Sequence, residues 1–134
     1  FVGDPVKVDN EILTRLVSDG FVPVISPITH DGQGQLLNTN ADTVASEIAR
    51  AMSPDFEVTL TYCFEKEGVL DGDGIIIDSI NPIRYSSLKE EGIVSGGMLP
   101  KLDNAFSALN AGVHNVRITS ATAPEGGTLI TLKS

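Results

Sequence analysis

Two short stretches of the chain concentrate residues that could do chemistry. In "LLNTNAD", Leu36 to Asp42, the side chains of Asn38, Asn40 and Asp42 stand at alternate positions directly ahead of an apolar run with helical spacing. Asn and Asp accept hydrogen bonds from the free N–H groups of a first helical turn, and one such residue suffices as a cap. The surplus points to a second task at the same place, where the helix dipole and the unpaired N–H groups favour an anion. In "SGGMLPK", Gly96 and Gly97 let the backbone approach a ligand closely, and Lys101 follows about one turn into the next helix. Backbone amides with a lysine suit phosphate, although the spacing is not that of a Walker A loop.

The elements that must position these residues alternate. "DNEILTRLVSDG" reads as an amphipathic helix with Asp9 or Asn10 as cap, Ile12, Leu13, Leu16 and Val17 on one face, and Gly20 as stop. "FVPVISPI" reads as a short apolar strand buried in a parallel sheet, and "HDGQGQ" as the loop that breaks it. Helical spacing returns over 41–52, with Val44, Ala45, Ile48, Ala49 and Met52, and Pro54 ends that helix. "FEVTLTYCF" is the next strand, "DGDG" a turn and "IIIDSI" a further strand. The "DGDG" segment lacks the alternating oxygen ligands and closing Glu of a calcium loop. "RYSSLKEEG" predicts a short helix. A longer one follows the glycine pair with Met98, Leu102, Ala105, Phe106 and Leu109 on one side, and "VHNVRIT" and "GTLITL" close the chain as strands. Strands alternating with helices imply an α/β fold with a largely parallel sheet, in which ligands collect at the carboxyl ends of the strands. Residues 1–134 read as one domain, with no repeat or linker.

Composition excludes several partners. The 134 residues carry 18 acidic against 9 basic side chains, a formal net charge of −9, which argues against nucleic acid and anionic membrane surfaces. No apolar run approaches the ~20 residues of a membrane span. Cys63 is the single cysteine, so no internal disulfide is possible and a reducing, cytoplasmic setting is expected. We expect Cys63 to be a buried thiol at a strand end, and His30 and His114 to be ordinary polar positions. The opening "FVGDPVKV" has neither Met nor a signal pattern and reads as the interior of a longer chain.

"GFVPVISPITHDGQGQLLNTNAD", "EGIVSGGMLPKLDNAFSALNAGV" and the terminal "GGTLI", in this order and spacing, resemble the C-terminal half of the N-acetylglutamate kinases in the amino acid kinase superfamily. The resemblance covers nearly the whole chain, with "NTNAD" and "GGMLPK" as its specific parts. It implies a three-layer αβα sandwich of the amino acid kinase and carbamate kinase type, of which this chain is the nucleotide-binding half. It further implies phosphoryl transfer from ATP, with Mg²⁺, to the γ-carboxylate of N-acetylglutamate or a related N-acylglutamate in arginine biosynthesis. The acceptor is already an anion, so no general base is needed. By the same resemblance Asn38 binds the amino-acid substrate, and Lys101 neutralises the transferring phosphoryl group. Asp42 orients that lysine, Gly96, Gly97, Met98 and Lys101 contact the nucleotide, and no residue is assigned to a metal. The parent enzyme is expected to be a homo-oligomer.

Two departures qualify the match. The family usually places an Asp in a short loop beside the nucleotide, where this chain has "YCFEKEGVL". The N-terminal half, which in the family carries a second catalytic lysine, a glycine-rich loop and a substrate-binding arginine, is missing, so the fragment alone is expected to be inactive. A non-catalytic nucleotide- or amino-acid-sensing module and a purely structural domain are the rival readings.

Overall fold

The computed structural model describes residues 2–133, and the chain divides between Phe56 and Glu57 into two compact units.

In the first unit, α1 (Asn10–Ser18) begins where the carboxylate of Asp9 accepts the N–H of Ile12 at 3.1 Å. Of the buried strand expected over residues 21–28, only Ile28 enters a β-ladder. Phe21, Val22 and Val24 are 62%, 88% and 95% exposed, and no β-ladder includes them. Pro23 and Pro27 lack the N–H that a central strand must donate, so pairing starts only after them. There β1 (Ile28–His30) and β2 (Leu36–Asn38) form an antiparallel hairpin with Thr29 opposite Leu37. Its turn is closed by Asp31, whose Oδ1 accepts the N–H groups of Gln33 and Gln35 at 2.7 and 3.1 Å. The hydroxyls of Thr29 and Thr39 meet at 2.8 Å and fix the strand end against the start of α2 (Ala41–Met52).

In the second unit a four-stranded sheet runs in the order β3 (Thr59–Phe64), β5 (Asn115–Ser120), β6 (Thr128–Ile130), β4 (Ser79–Ile80). β3 with β5 and β4 with β6 are parallel, whereas β5 and β6 are antiparallel because the connection between them is too short for a crossover. The sheet is therefore mainly parallel and the class α/β, as the alternation of elements implied. "IIIDSI" pairs along the sheet only at Ser79–Ile80, and Ile76 instead bridges back to Leu70 in a small hairpin.

Helices α3 (Pro82–Glu90) and α4 (Met98–Asn110) bury Tyr85 and Leu88, and Leu102, Ala105, Ala108 and Leu109, in the core that also holds Ile80, Val116, Ile118 and Ile130. Burying a leucine side chain of this kind stabilises the fold by about 1.5–3 kcal/mol. Met98 and Phe106, expected on the buried side, are only half-buried. The two helices are tied by Tyr85, which donates its hydroxyl to Asp103 Oδ1 at 2.7 Å and stacks on Phe106 with ring centroids 5.3 Å apart. Burial, then the hydrogen bond to Asp103 and its negative charge, push the Tyr85 hydroxyl well above its ordinary pKa.

Cys63 is exposed, contrary to the expected buried thiol. β3 alternates, and because Leu60 and Tyr62 turn into the core, Cys63 faces outward. His30 and His114 each use Nδ1 to accept a backbone N–H, from Gly32 at 3.1 Å and Val58 at 3.3 Å, as ordinary polar side chains do.

Candidate nucleotide and substrate sites

The first unit places Asn38, Asn40 and Asp42 at the β2–α2 junction and separates their tasks. Asn40 is the cap, its side-chain oxygen accepting the N–H of Thr43 at 3.1 Å. Asp42 sits half-buried in the first turn of α2, where a carboxylate complements the helix dipole. Asn38 closes β2. Its backbone carbonyl accepts the N–H of Gly3 at 3.0 Å, whereas its exposed side-chain amide makes no hydrogen bond among the described residues. Neither capping nor packing uses that amide, so both its donor and acceptor face outward.

The second unit brings together Gly96, Gly97, Met98 and Lys101. Gly96 has a φ of +54°, which strongly favours glycine, and Gly97 is right-handed at φ −65°, ψ −13°. A left-handed residue followed by a right-handed one turns successive N–H groups toward the same side, the geometry of an anion-binding nest. The N–H groups of Met98 and Leu99 are taken by the carbonyls of Ser95 and Gly96, at 3.3 and 3.2 Å, and Pro100 has none. Those of Gly96 and Gly97 have no partner among the described residues. A Cβ on Gly97 would touch nothing within 4 Å, so neither packing nor backbone conformation requires glycine there.

Lys101 is half-buried, with Nζ 5.3 Å from the ring centroid of Phe64, the last residue of β3. It thus lies at the carboxyl end of a parallel strand, where ligands collect in α/β sheets.

A cleft of about 350 Å³ adjoins the glycine pair, lined among others by Lys66, Gly68, Asp71, Val94, Ser95 and Met98. The small hairpin that forms one wall is anchored by Thr128, whose hydroxyl accepts the N–H of Val69 at 2.8 Å. Asp71 is spent inside its turn, Oδ1 accepting from Asp73 and Ile75 at 2.9 Å each. Lys66 and Ser95 escaped the sequence reading. The run of charges around Lys66 looks like a solvated loop, and only the long-range pairing of Thr128 with Val69 shows that it borders a cleft.

A mainly parallel sheet between helices, with a lysine at the carboxyl end of β3, defines the class as an α/β protein. Residues 1–120 match the amino acid kinase family, and the chain belongs to it. It is 53% identical over 135 residues to the acetylglutamate kinase of Bacteroides fragilis, an alignment covering 97% of this chain and 52% of the relative. The chain thus spans about half the length of the curated relatives it matches. An N-acetylglutamate synthase from Neisseria gonorrhoeae superposes with a TM-score of 0.86 at 22% identity, over 100% of this chain and 33% of that one. The carbamate kinase of Giardia lamblia does so with a TM-score of 0.62 at 17% identity, over 96% of this chain and 45% of that one. These two establish the fold as that of the amino acid and carbamate kinases. No helix among the described residues is long and apolar enough to cross a membrane.

Proposed function

We propose that residues 1–134 are the C-terminal, ATP-binding part of an enzyme that transfers the γ-phosphoryl group of ATP to the γ-carboxylate of N-acetylglutamate or a related N-acylglutamate. The observation that carries this reading is the Gly96–Gly97 nest followed one turn later by Lys101, within a chain about half identical to acetylglutamate kinases. In this reading the glycine amides and Lys101 hold the polyphosphate and offset charge on the transferring group. Asn38 hydrogen-bonds the amino-acid substrate, Asp42 serves as a carboxylate at the helix start, and the cleft beside Met98 takes the nucleoside. The acceptor carboxylate attacks phosphorus directly, so the work is positioning and electrostatic stabilisation. Among the described residues no group of three or more His, Cys, Asp or Glu could hold a metal ion. Mg²⁺ would accompany the nucleotide and offset charge on its phosphates.

The chain alone lacks the second lysine, the glycine-rich loop and the arginine that the family resemblance places in the other half, so it binds nucleotide weakly and does not turn over. Trapping of acyl phosphate with hydroxylamine tests this, on the chain alone and with the separately expressed N-terminal half of a relative. Product only in the mixture is expected. Turnover by the chain alone at the rate of an intact relative would overturn the fragment reading, and no product in either case, with an intact relative active in parallel, would count against the activity.

A further inference from the structure

The cleft beside the glycine pair contains a cation to which the family pattern gives no role. Lys66 lines it together with Ser95 and Met98, the residues on either side of Gly96–Gly97. We propose that Lys66 is a second phosphate-binding cation of this site, through which the chain favours nucleoside di- and triphosphates over uncharged nucleosides. The inference rests on the nucleotide reading of the cleft given above.

Three observations place Lys66 in that role. It is exposed and makes no hydrogen bond or ion pair among the described residues, in a chain with twice as many acidic as basic side chains, 18 against 9. Its amine is thus not consumed by a structural contact. Secondly, its backbone is held rather than loose. A Cβ on Gly68 would stand 2.8 Å from Ile76 Cγ2 and 2.9 Å from Thr128 Oγ1, and Val69 is fastened to Thr128 one residue later. Lys66 is therefore delivered to the cleft by a packed segment. Thirdly, the cleft is graded: Val69 and Val94 are buried and apolar, whereas Lys66 and Ser95 are exposed. A flat, weakly polar ring suits the buried part, and an anion the exposed part, which Lys66 lines together with Ser95, the residue before the glycine pair. With a formal net charge of −9 the chain as a whole repels polyanions, so a local cation at the entrance has an outsized effect on their affinity.

The test is titration of the nitrogen-15-labelled chain with ADP and with adenosine, following the amide signals of Val69, Gly96, Gly97 and Met98. ADP is expected to bind more tightly than adenosine. Lys66→Met should weaken ADP about fivefold, the effect of one partly screened charge contact, leave adenosine unchanged, and be rescued by Lys66→Arg. If ADP still shifts Gly96 and Gly97 but binds Lys66→Met as tightly as the unaltered chain, the role of Lys66 is overturned while the nucleotide site stands. An equal loss for ADP and adenosine would also overturn it, since cleft shape rather than charge would be at work. If neither ligand moves these signals in the unaltered chain, the nucleotide reading fails and takes the inference with it.

Discussion

The hydroxyl of Thr128 accepts the backbone N–H of Val69 at 2.8 Å, in a fully buried setting, across 59 residues of sequence. This bond joins β6 to the small hairpin that walls the candidate nucleotide cleft. Thr128→Val keeps the shape and removes the acceptor, leaving a buried N–H unpaired at a cost of about 1–3 kcal/mol. Denaturant unfolding should show that loss, and hydrogen exchange at Val69 should speed up more than at Val116 in the centre of the sheet. Unchanged protection at Val69 would mean that the hairpin is anchored elsewhere.

Gly127 precedes Thr128 with a φ of +81°, and a Cβ there would collide with the carbonyl oxygen of Ile118 and stand 2.7 Å from Thr119 Cβ. Those neighbours belong to a central strand and cannot retreat. Gly127→Ala should therefore destabilise by more than 1 kcal/mol, beyond the ordinary effect of replacing glycine. By contrast, Gly97→Ala, with open space around it and a right-handed backbone, should leave the unfolding midpoint within about 0.5 kcal/mol of the original while weakening ADP binding. Parallel melts and titrations of the two variants check both halves of the contrast.

Tyr85 carries a pH dependence. Its pKa in the folded chain lies above the ordinary value near 10, so above that pH the unfolded chain loses the proton first. The contribution of Tyr85 to stability is complete below about pH 10 and declines as the pH rises toward the folded value. Urea midpoints at about pH 8 and pH 11 should fall more steeply for the unaltered chain than for Tyr85→Phe. Parallel slopes would show that alkaline loss has another origin.

On the proposed function, Lys101 and Asn38 should separate in kinetics when the chain is supplied with the N-terminal half of a relative. Lys101→Ala removes the cation proposed to offset charge on the phosphoryl group and should lower kcat by about 100-fold or more. Asn38→Ala removes a neutral hydrogen-bonding group and should mainly raise KM for the acylglutamate while leaving that for ATP nearly unchanged. If Asn38→Ala raised the ATP constant instead, the β2–α2 junction would have been assigned to the wrong ligand.

Local signals were legible in the sequence and long-range ones were not. The caps at Asp9 and Asn40, the apolar face of α4 and the positions of Lys101 and the glycine pair all depend on neighbours within a turn, so residue type and spacing revealed them. The apolar run over residues 21–28 misleads because hydrophobicity speaks for a strand while Pro23 and Pro27 remove donors that a strand needs. Burial at Cys63 was misjudged because alternation gives a period but not which phase faces the core. Lys66 was invisible for a related reason: its neighbourhood is created by the pairing of Leu70 with Ile76 and of Val69 with Thr128, and no local pattern announces either.

Those two prolines have a further consequence for how the chain behaves at high concentration. Phe21, Val22, Val24 and Ile25 present bulky apolar side chains to water, and an uninterrupted stretch of that kind is a template for intermolecular β-pairing. Pro23 and Pro27 cut it into pieces shorter than the about five to seven residues that nucleate fibrils, acting as gatekeepers within the run itself. Pro23→Val should leave the melting temperature of the monomer nearly unchanged and yet shorten the lag before thioflavin-positive aggregates form. The same residues that keep this segment out of a ladder also keep it from recruiting its neighbours in solution.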